Sequence, residues 1–212
     1  VRLLTPCTVS AIAREHGVYV VDGSAARIRC GSLVNAAGAW AAGVARLLGA
    51  ELPVRTAPQQ MIVTEPIEPI VPVLLAAAGR HLTLKQVANG NVIIGGGWPA
   101  GYDGTLGRGI NLRESIEGNL WVAQRVIPAL AGVRVLRSWA TVGVMIDGAP
   151  ILGEDPGHPG FFNCVGANGY TMGPIIGSIT AGLILGEAPP LDLRPFRVDR
   201  FGGADPIHRQ TA

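Results

Sequence analysis

Two short segments carry residues that could hold an anionic or electron-rich ligand. The first, Gly166-Ala167-Asn168-Gly169-Tyr170-Thr171-Met172-Gly173, joins the apolar run Phe161 to Val165 to a stretch beginning at Pro174. Glycines in such a strand-to-helix joint let backbone N–H groups approach a ligand closely. The helix start adds about half a positive charge. The same spacing also suits a tight turn forced by packing. The second, Val34-Asn35-Ala36-Ala37-Gly38-Ala39-Trp40, repeats the order of strand, small residues and helix. It too admits either a close backbone approach or a compact turn.

Other patterns point away from chemistry. Gly95-Gly96-Gly97-Trp98-Pro99-Ala100 spells G-x-G-x-x-A after the strand-like Asn91 to Ile94. A dinucleotide fingerprint must open into a helix, whereas here Pro99 and Gly101-Tyr102-Asp103-Gly104 follow. A flexible Gly-rich loop from Gly95 to Gly109 is therefore expected. There is no second G-x-G-x-x-G, no Walker A loop and no G-x-S-x-G nucleophile elbow. His16, His81, His158 and His208 lie in separate segments, form no i, i+4 pair, and read as turn or surface residues. Cys7, Cys30 and Cys164 are scattered and accompanied by no Cys-x-x-Cys. They read as reduced, mostly buried thiols of a cytoplasmic protein rather than a disulfide framework or a zinc site.

Several elements must position the two candidate segments. Thr8 to Arg14 and Val18 to Val21 read as strands around Glu15-His16-Gly17, and Arg27 to Arg29 extends the meander. Ser32 to Asn35 is a further short strand. A helix then runs to about Leu48 and stops at Gly49. Gln59 to Thr64 is strand-like, with a Pro-rich stretch from Pro66 to Pro72 after it. His81 to Val87 and Asn91 to Ile94 flank the hairpin signal Asn89-Gly90. Asn111 and Glu114 resemble a capping box for a helix carrying Leu112, Ile116, Leu120, Ala123, Ile127 and Leu130, ended or kinked by Pro128. Val133 to Val144 returns as strand, Asp147-Gly148 turns, and a helix covers Pro174 to Leu185. That helix is about 18 Å long, too short for a bilayer core of about 30 Å, so no membrane span is expected.

The composition sets bounds. With 212 residues and 48% hydrophobic content the chain can bury a real core. Only 15% of residues are charged, against about 25% in an average soluble domain. Part of the surface is therefore expected to be covered by a cofactor, a partner or further sequence. The 17 basic and 15 acidic residues form no basic run, which argues against nucleic acid as a partner. The chain opens without Met, directly into a strand-like pattern. This is the expectation for a fragment, with any targeting signal upstream of Val1.

Taken in order, several segments resemble the D-amino-acid-oxidase-like family of FAD-dependent amine oxidoreductases, which includes glycine oxidase, sarcosine oxidase and the flavin subunits of opine and amino-acid dehydrogenases. They are Leu33 to Trp40, Asn91 to Gly97, Ser138-Trp139-Ala140, Asp147 to Gly153, and Val165 to Pro174. The resemblance implies an α+β or α/β fold: part of an FAD-binding domain plus a substrate domain with a mixed, largely antiparallel sheet. By analogy, residues 1–50 and about 138–212 form the FAD side and about 51–137 the substrate side. It implies non-covalent FAD, with Ala37, Gly38 and Trp40 near the pyrophosphate and Val9 at the adenine end. Gly166, Asn168, Gly169, Tyr170, Thr171 and Met172 would face the flavin ring. The implied reaction is oxidation of the C–N bond of an amine or amino-acid-like small molecule by hydride transfer.

This sequence also departs from that pattern. The family's strand–turn–helix with G-x-G-x-x-G is absent. Gly143-Val144-Met145 stands where many relatives place an arginine for a substrate carboxylate, and Thr171 stands where sarcosine-oxidase-like members carry a lysine. No cysteine occupies the position of covalent flavin attachment. The catalytic residues and the substrate stay open. The alternative is a non-catalytic partner or assembly module that completes an FAD site only with a missing segment or a second subunit. On either reading, this chain alone is expected to bind FAD weakly or not at all.

Overall fold

The computed structural model describes residues 1–77 and 79–202. In chain order the elements begin with β1 (Val9–Glu15), β2 (Val18–Gly23), β3 (Arg27–Cys30), β4 (Leu33–Asn35), α1 (Ala41–Leu47) and β5 (Arg55–Pro66). Next come β6 (Leu75–Ala77), β7 (Leu82–Gln86), β8 (Asn91–Gly95), β9 (Gly101–Asp103), β10 (Arg108–Ile110) and α2 (Arg113–Val126). The last are β11 (Val135–Met145), β12 (Ile151–Glu154), β13 (Phe161–Val165) and α3 (Gly169–Ile184). The chain divides into two compact units, one built from residues before 57 and after 143, the other from 57–143.

The first unit contains two sheets. β1, β2 and β3 form an antiparallel meander. Its first turn, His16-Gly17, has φ values of 50° and 85°, the left-handed pair that matches strand twist in a tight hairpin. The second sheet has the order β12-β13-β4, with β13 antiparallel to β12 and parallel to β4. The core joins Tyr19 and Val21 of the meander to Phe161 and Val165 of β13, Ile151 of β12, and Ala41 and Ala45 of α1. Phe161 is fully buried, a burial that contributes about 2–3 kcal/mol.

The second unit is a five-stranded sheet ordered β11-β5-β8-β7-β6, with α2 against one face. Its pairs β5–β8, β8–β7 and β7–β6 are antiparallel, in line with the expected largely antiparallel sheet. Strand alternation sorts the faces. Ile62, Leu82, Leu84, Val92 and Ile94 form a core with Val122 and Ala123 of α2. The Pro-rich stretch is tied down by Gln86, whose Oε1 accepts from Ile70 N and Val71 N while its amide nitrogen faces the carbonyls of Ile67 and Glu68.

Three local expectations need correction. The Gly95–Gly109 stretch is not a flexible loop, because β9 and β10 pair within it and Asp103 Oδ1 accepts from the N–H groups of Thr105 and Leu106. Strands of three residues carry too little periodicity to stand out. Asn111 does not cap α2: its side chain donates to Ser138 Oγ, and Leu112, at the N-cap, donates its N–H to Gln60 Oε1. α3 starts five residues before Pro174, which lies inside the helix. The missing proline N–H would have faced the Tyr170 carbonyl, and Tyr170 is fully exposed to water.

Candidate functional site

Both candidate segments leave one sheet at the same end. β4 and β13 are neighbouring parallel strands with Leu33 opposite Phe161, Val34 opposite Phe162 and Asn35 opposite Asn163. Such strands lie about 4.8 Å apart. The chain departs after Asn35 into Ala36–Trp40 and after Val165 into Gly166–Met172. Two turns at the carboxyl ends of adjacent parallel strands form the crevice in which open α/β sheets hold ligands.

Asn35 builds the first corner. Its Oδ1 accepts from Ala37 N at 3.3 Å, and its Nδ2 donates to Ala41 O at 2.9 Å. The side chain thus clamps the single helical turn Gly38–Trp40 onto the start of α1. Gly38 has φ 55°, a left-handed value that a side chain adopts only with strain. Trp40 is half exposed. Asn35 Nδ2 also lies 3.4 Å from Asn163 Oδ1. The Asn163 Nδ2 is buried with no hydrogen-bond partner among the described residues.

The second corner is the start of a long helix. Asn168 is the N-cap of α3 but makes no side-chain capping bond, and the first turn contains no acidic residue. Its N–H groups are therefore open to a ligand rather than spent on a cap. A Cβ built on Gly169 or Gly173 would meet nothing within 4 Å. Gly166 differs: a Cβ there would come 3.3 Å from the Cβ of Pro150, a tight contact. Tyr170 and Thr171 are exposed and Met172 is half-buried.

These features fit a nucleotide cofactor with an anionic centre. One helix N-terminus is uncapped, backbone is bare at two glycines, a buried amide donor is unpartnered, and neither corner carries a carboxylate. Ala37, Gly38 and Trp40 thus share the sheet end with Gly166, Asn168, Gly169, Tyr170, Thr171 and Met172. Val9 does not: it opens β1 in the meander, the other sheet of the unit. Asn35 lies inside the second candidate segment, but the sequence reading gives it no role of its own, and Asn163 is not among the candidate residues. The signal available was a polar residue ending a buried strand beside small residues.

The remaining titratable groups lie elsewhere. His158 Nδ1 is 2.8 Å from Asp155 Oδ1, in the turn before β13 and therefore at the opposite end of that strand. A cavity of about 710 Å³ opens there between Ala50, Leu52, Asp155, His158 and Phe201. Burial pushes the Cys30 thiol up from its ordinary value. The three cysteines are free and half-buried. His208 lies outside the described residues. Among those residues no cluster of metal-binding side chains occurs, and no helix is long and apolar enough to cross a membrane.

Comparison with known proteins gives a consistent picture. The family model DAO, described as FAD dependent oxidoreductase, matches residues 1–183. Sarcosine oxidase subunit beta of Rhizobium meliloti is 33% identical over 206 residues, 95% of this chain and 48% of that protein. Glycine oxidase of Pseudomonas putida is 30% identical over 92% of this chain and 53% of its own length. Among solved structures, glycine oxidase from Geobacillus kaustophilus superposes with a TM-score of 0.82 at 24% identity, over 92% of this chain and 52% of that one. The chain thus spans about half the length of the relatives it matches.

Proposed function

The chain belongs to the DAO family of FAD-dependent oxidoreductases, and from that premise we propose that it forms part of an FAD-dependent enzyme oxidising the C–N bond of an amine or amino-acid-like substrate. The observation that carries this reading is the shared sheet end of the Ala36–Trp40 and Gly166–Met172 corners. When bound, FAD supplies the two-electron acceptor for the hydride leaving the carbon next to nitrogen.

The chain's own part is to bind and orient. Ala37 and Gly38 present backbone to the pyrophosphate, held in place by Asn35. The N–H groups at Gly169 and Tyr170 and the α3 dipole favour negative charge at the ring face they meet. Thr171 and Met172 set the shape of that face. Residues 57–143 serve as the substrate side. A cytoplasmic setting agrees with three free thiols.

A second reading has its own observation. Among the described residues β4 pairs on one side only, with β13, and Val34 is 40% exposed. α3 buries Ile176, Ile179 and Thr180 but leaves Ile175 half exposed, and Leu185, just past its end, is three-quarters exposed. An open parallel edge beside an apolar helix face suits a further polypeptide segment, from the same protein or a partner subunit. We propose that this segment completes the FAD site.

FAD titration followed by flavin absorption tests both readings. The expected result is weak binding by residues 1–212 and stoichiometric binding once a completing segment is supplied. A folded, completed protein that takes up no flavin would overturn the proposal.

A further inference from the structure

The cavity at the start of β13 takes no part in the flavin reading. Its volume of about 710 Å³ falls within the span of about 300–1,000 Å³ usual for small-molecule sites. Every residue lining it belongs to the unit built from residues before 57 and after 143. Much of its wall is apolar, formed by Ala50, Leu52, Val54 and Phe201, all buried.

His158 lines the same cavity, and its ring is fixed on two sides. Nδ1 is 2.8 Å from Oδ1 of Asp155, a residue only 7% exposed. The ring also meets Phe161 edge-on, with centroids 6.4 Å apart and planes at 81°. A carboxylate only accepts, so Nδ1 carries the hydrogen and Nε2 of the neutral ring keeps its lone pair. Nε2 makes no hydrogen bond among the described residues. The turn beneath the ring is tied as well. Gly157 N donates to the same Asp155 oxygen, His158 N donates to the Asp155 carbonyl, and the buried Tyr19 hydroxyl donates to the carbonyls of His158 and Pro159. An acceptor held this firmly loses little freedom on meeting a donor.

The exposed rim carries both signs, Arg46 and Arg55 against Glu51 and Asp199, so it offers a charged ligand no net attraction. The Asp155 carboxylate behind His158 further disfavours an anion. We propose that this cavity binds a neutral aromatic alcohol, with its rings against Leu52, Val54 and Phe201 and its hydroxyl donating to Nε2 of His158. The proposal is independent of the flavin reading, because the cavity lies at the end of β13 opposite the Gly166–Met172 corner.

Calorimetry on this chain without flavin tests it with three probes that share one ring system: 2-naphthol, 2-methoxynaphthalene and 2-naphthoate. 2-Naphthol is expected to bind about 10-fold tighter than 2-methoxynaphthalene, which lacks the hydrogen-bond donor, and tighter than the anion. His158→Leu should lower 2-naphthol affinity about 10-fold, to the level of 2-methoxynaphthalene, and leave the latter unchanged. Thermal melting checks that the variant folds. In the wild-type protein, cross-relaxation from the ring protons of bound 2-naphthol to the methyl groups of Leu52 and Val54 locates the ligand without any substitution. No binding of 2-naphthol, equal affinity for 2-naphthol and 2-methoxynaphthalene, or tighter binding of 2-naphthoate overturns the proposal. So does a folded His158→Leu protein with undiminished 2-naphthol affinity, or cross-relaxation to methyl groups outside the cavity alone.

Discussion

Asn35 and Asn163 face each other across two parallel strands, with Asn35 Nδ2 3.4 Å from Asn163 Oδ1. Asn35 ends β4 while Asn163 lies two residues before the end of β13, and Asn35 also bonds Ala37 N and Ala41 O. One side chain therefore sets the first corner and touches the strand that leads to the second. Asn35→Ala removes these bonds from a site that is 1% exposed. It is expected to lower stability by about 1–3 kcal/mol. It should also weaken FAD binding beyond what partial unfolding explains. Urea melts and flavin titration of the same protein check this, and unchanged affinity in a folded variant would contradict the role given to Asn35.

A second clamp holds the end of the described chain. Arg200 grips Asp147 through Nη2 to Oδ1 at 2.7 Å and Nε to Oδ2 at 3.0 Å, and also donates to the carbonyls of Ala149 and Pro150. The Arg200 hydrogen bonds hold the Asp147 carboxyl below its ordinary value, against the opposing effect of burial. A depressed carboxyl contributes stability that is full above the unfolded value of about 4 and is lost as pH falls through the lower folded value. Arg200→Met is expected to destabilise the protein by about 3 kcal/mol at pH 7, because it leaves a largely buried carboxylate unpaired. The difference from wild type should shrink below pH 4, as read by denaturant melts across pH.

How much of this could be read from sequence depended on how local each signal was. The strands around Asn89-Gly90 and His16-Gly17 were legible because alternation and turn chemistry act within a few residues. The two corners were legible as Gly-rich and Ala-rich joints after short strands. The pairing of β4 with β13, across 128 residues between Asn35 and Asn163, was not, since no local pattern records which strands become neighbours. The β9–β10 hairpin was hidden for a related reason. Gly109 is required because a Cβ there would come 2.8 Å from the Ala140 Cβ, a contact made from outside the segment. The early start of α3 was masked by Pro174, which reads as a first-turn residue.

Glycine positions separate backbone crowding from conformational strain. A Cβ on Gly96 would lie 2.1 Å from the His81 carbonyl oxygen, and its φ is 126°. Gly96→Ala is expected to destabilise the protein by at least about 3 kcal/mol. Gly132, with φ 91° and nothing within 4 Å of a built Cβ, carries strain alone, so Gly132→Ala should cost about 1 kcal/mol. Equal melting temperatures for the two variants would contradict the close crossing at Gly96.

Gln86 is the anchor of the Pro-rich stretch. Its Oε1 accepts from Ile70 N at 2.8 Å and Val71 N at 3.1 Å. Gln86→Leu keeps the bulk and removes these bonds, with an expected loss of about 1–3 kcal/mol. Amide hydrogen exchange should rise at residues 70 and 71, while the α2 core stays protected. Exchange that rises uniformly would instead indicate global destabilisation.

The central claim is that the Ala36–Trp40 and Gly166–Met172 corners hold one and the same flavin nucleotide. Hydrogen exchange during an FAD titration of the completed protein tests it most directly. Both segments are expected to gain protection with a single shared midpoint, while the Asp155–His158 turn at the far end of β13 stays unchanged. Bound FAD that protects only one corner, or protects the two at different midpoints, would contradict the account.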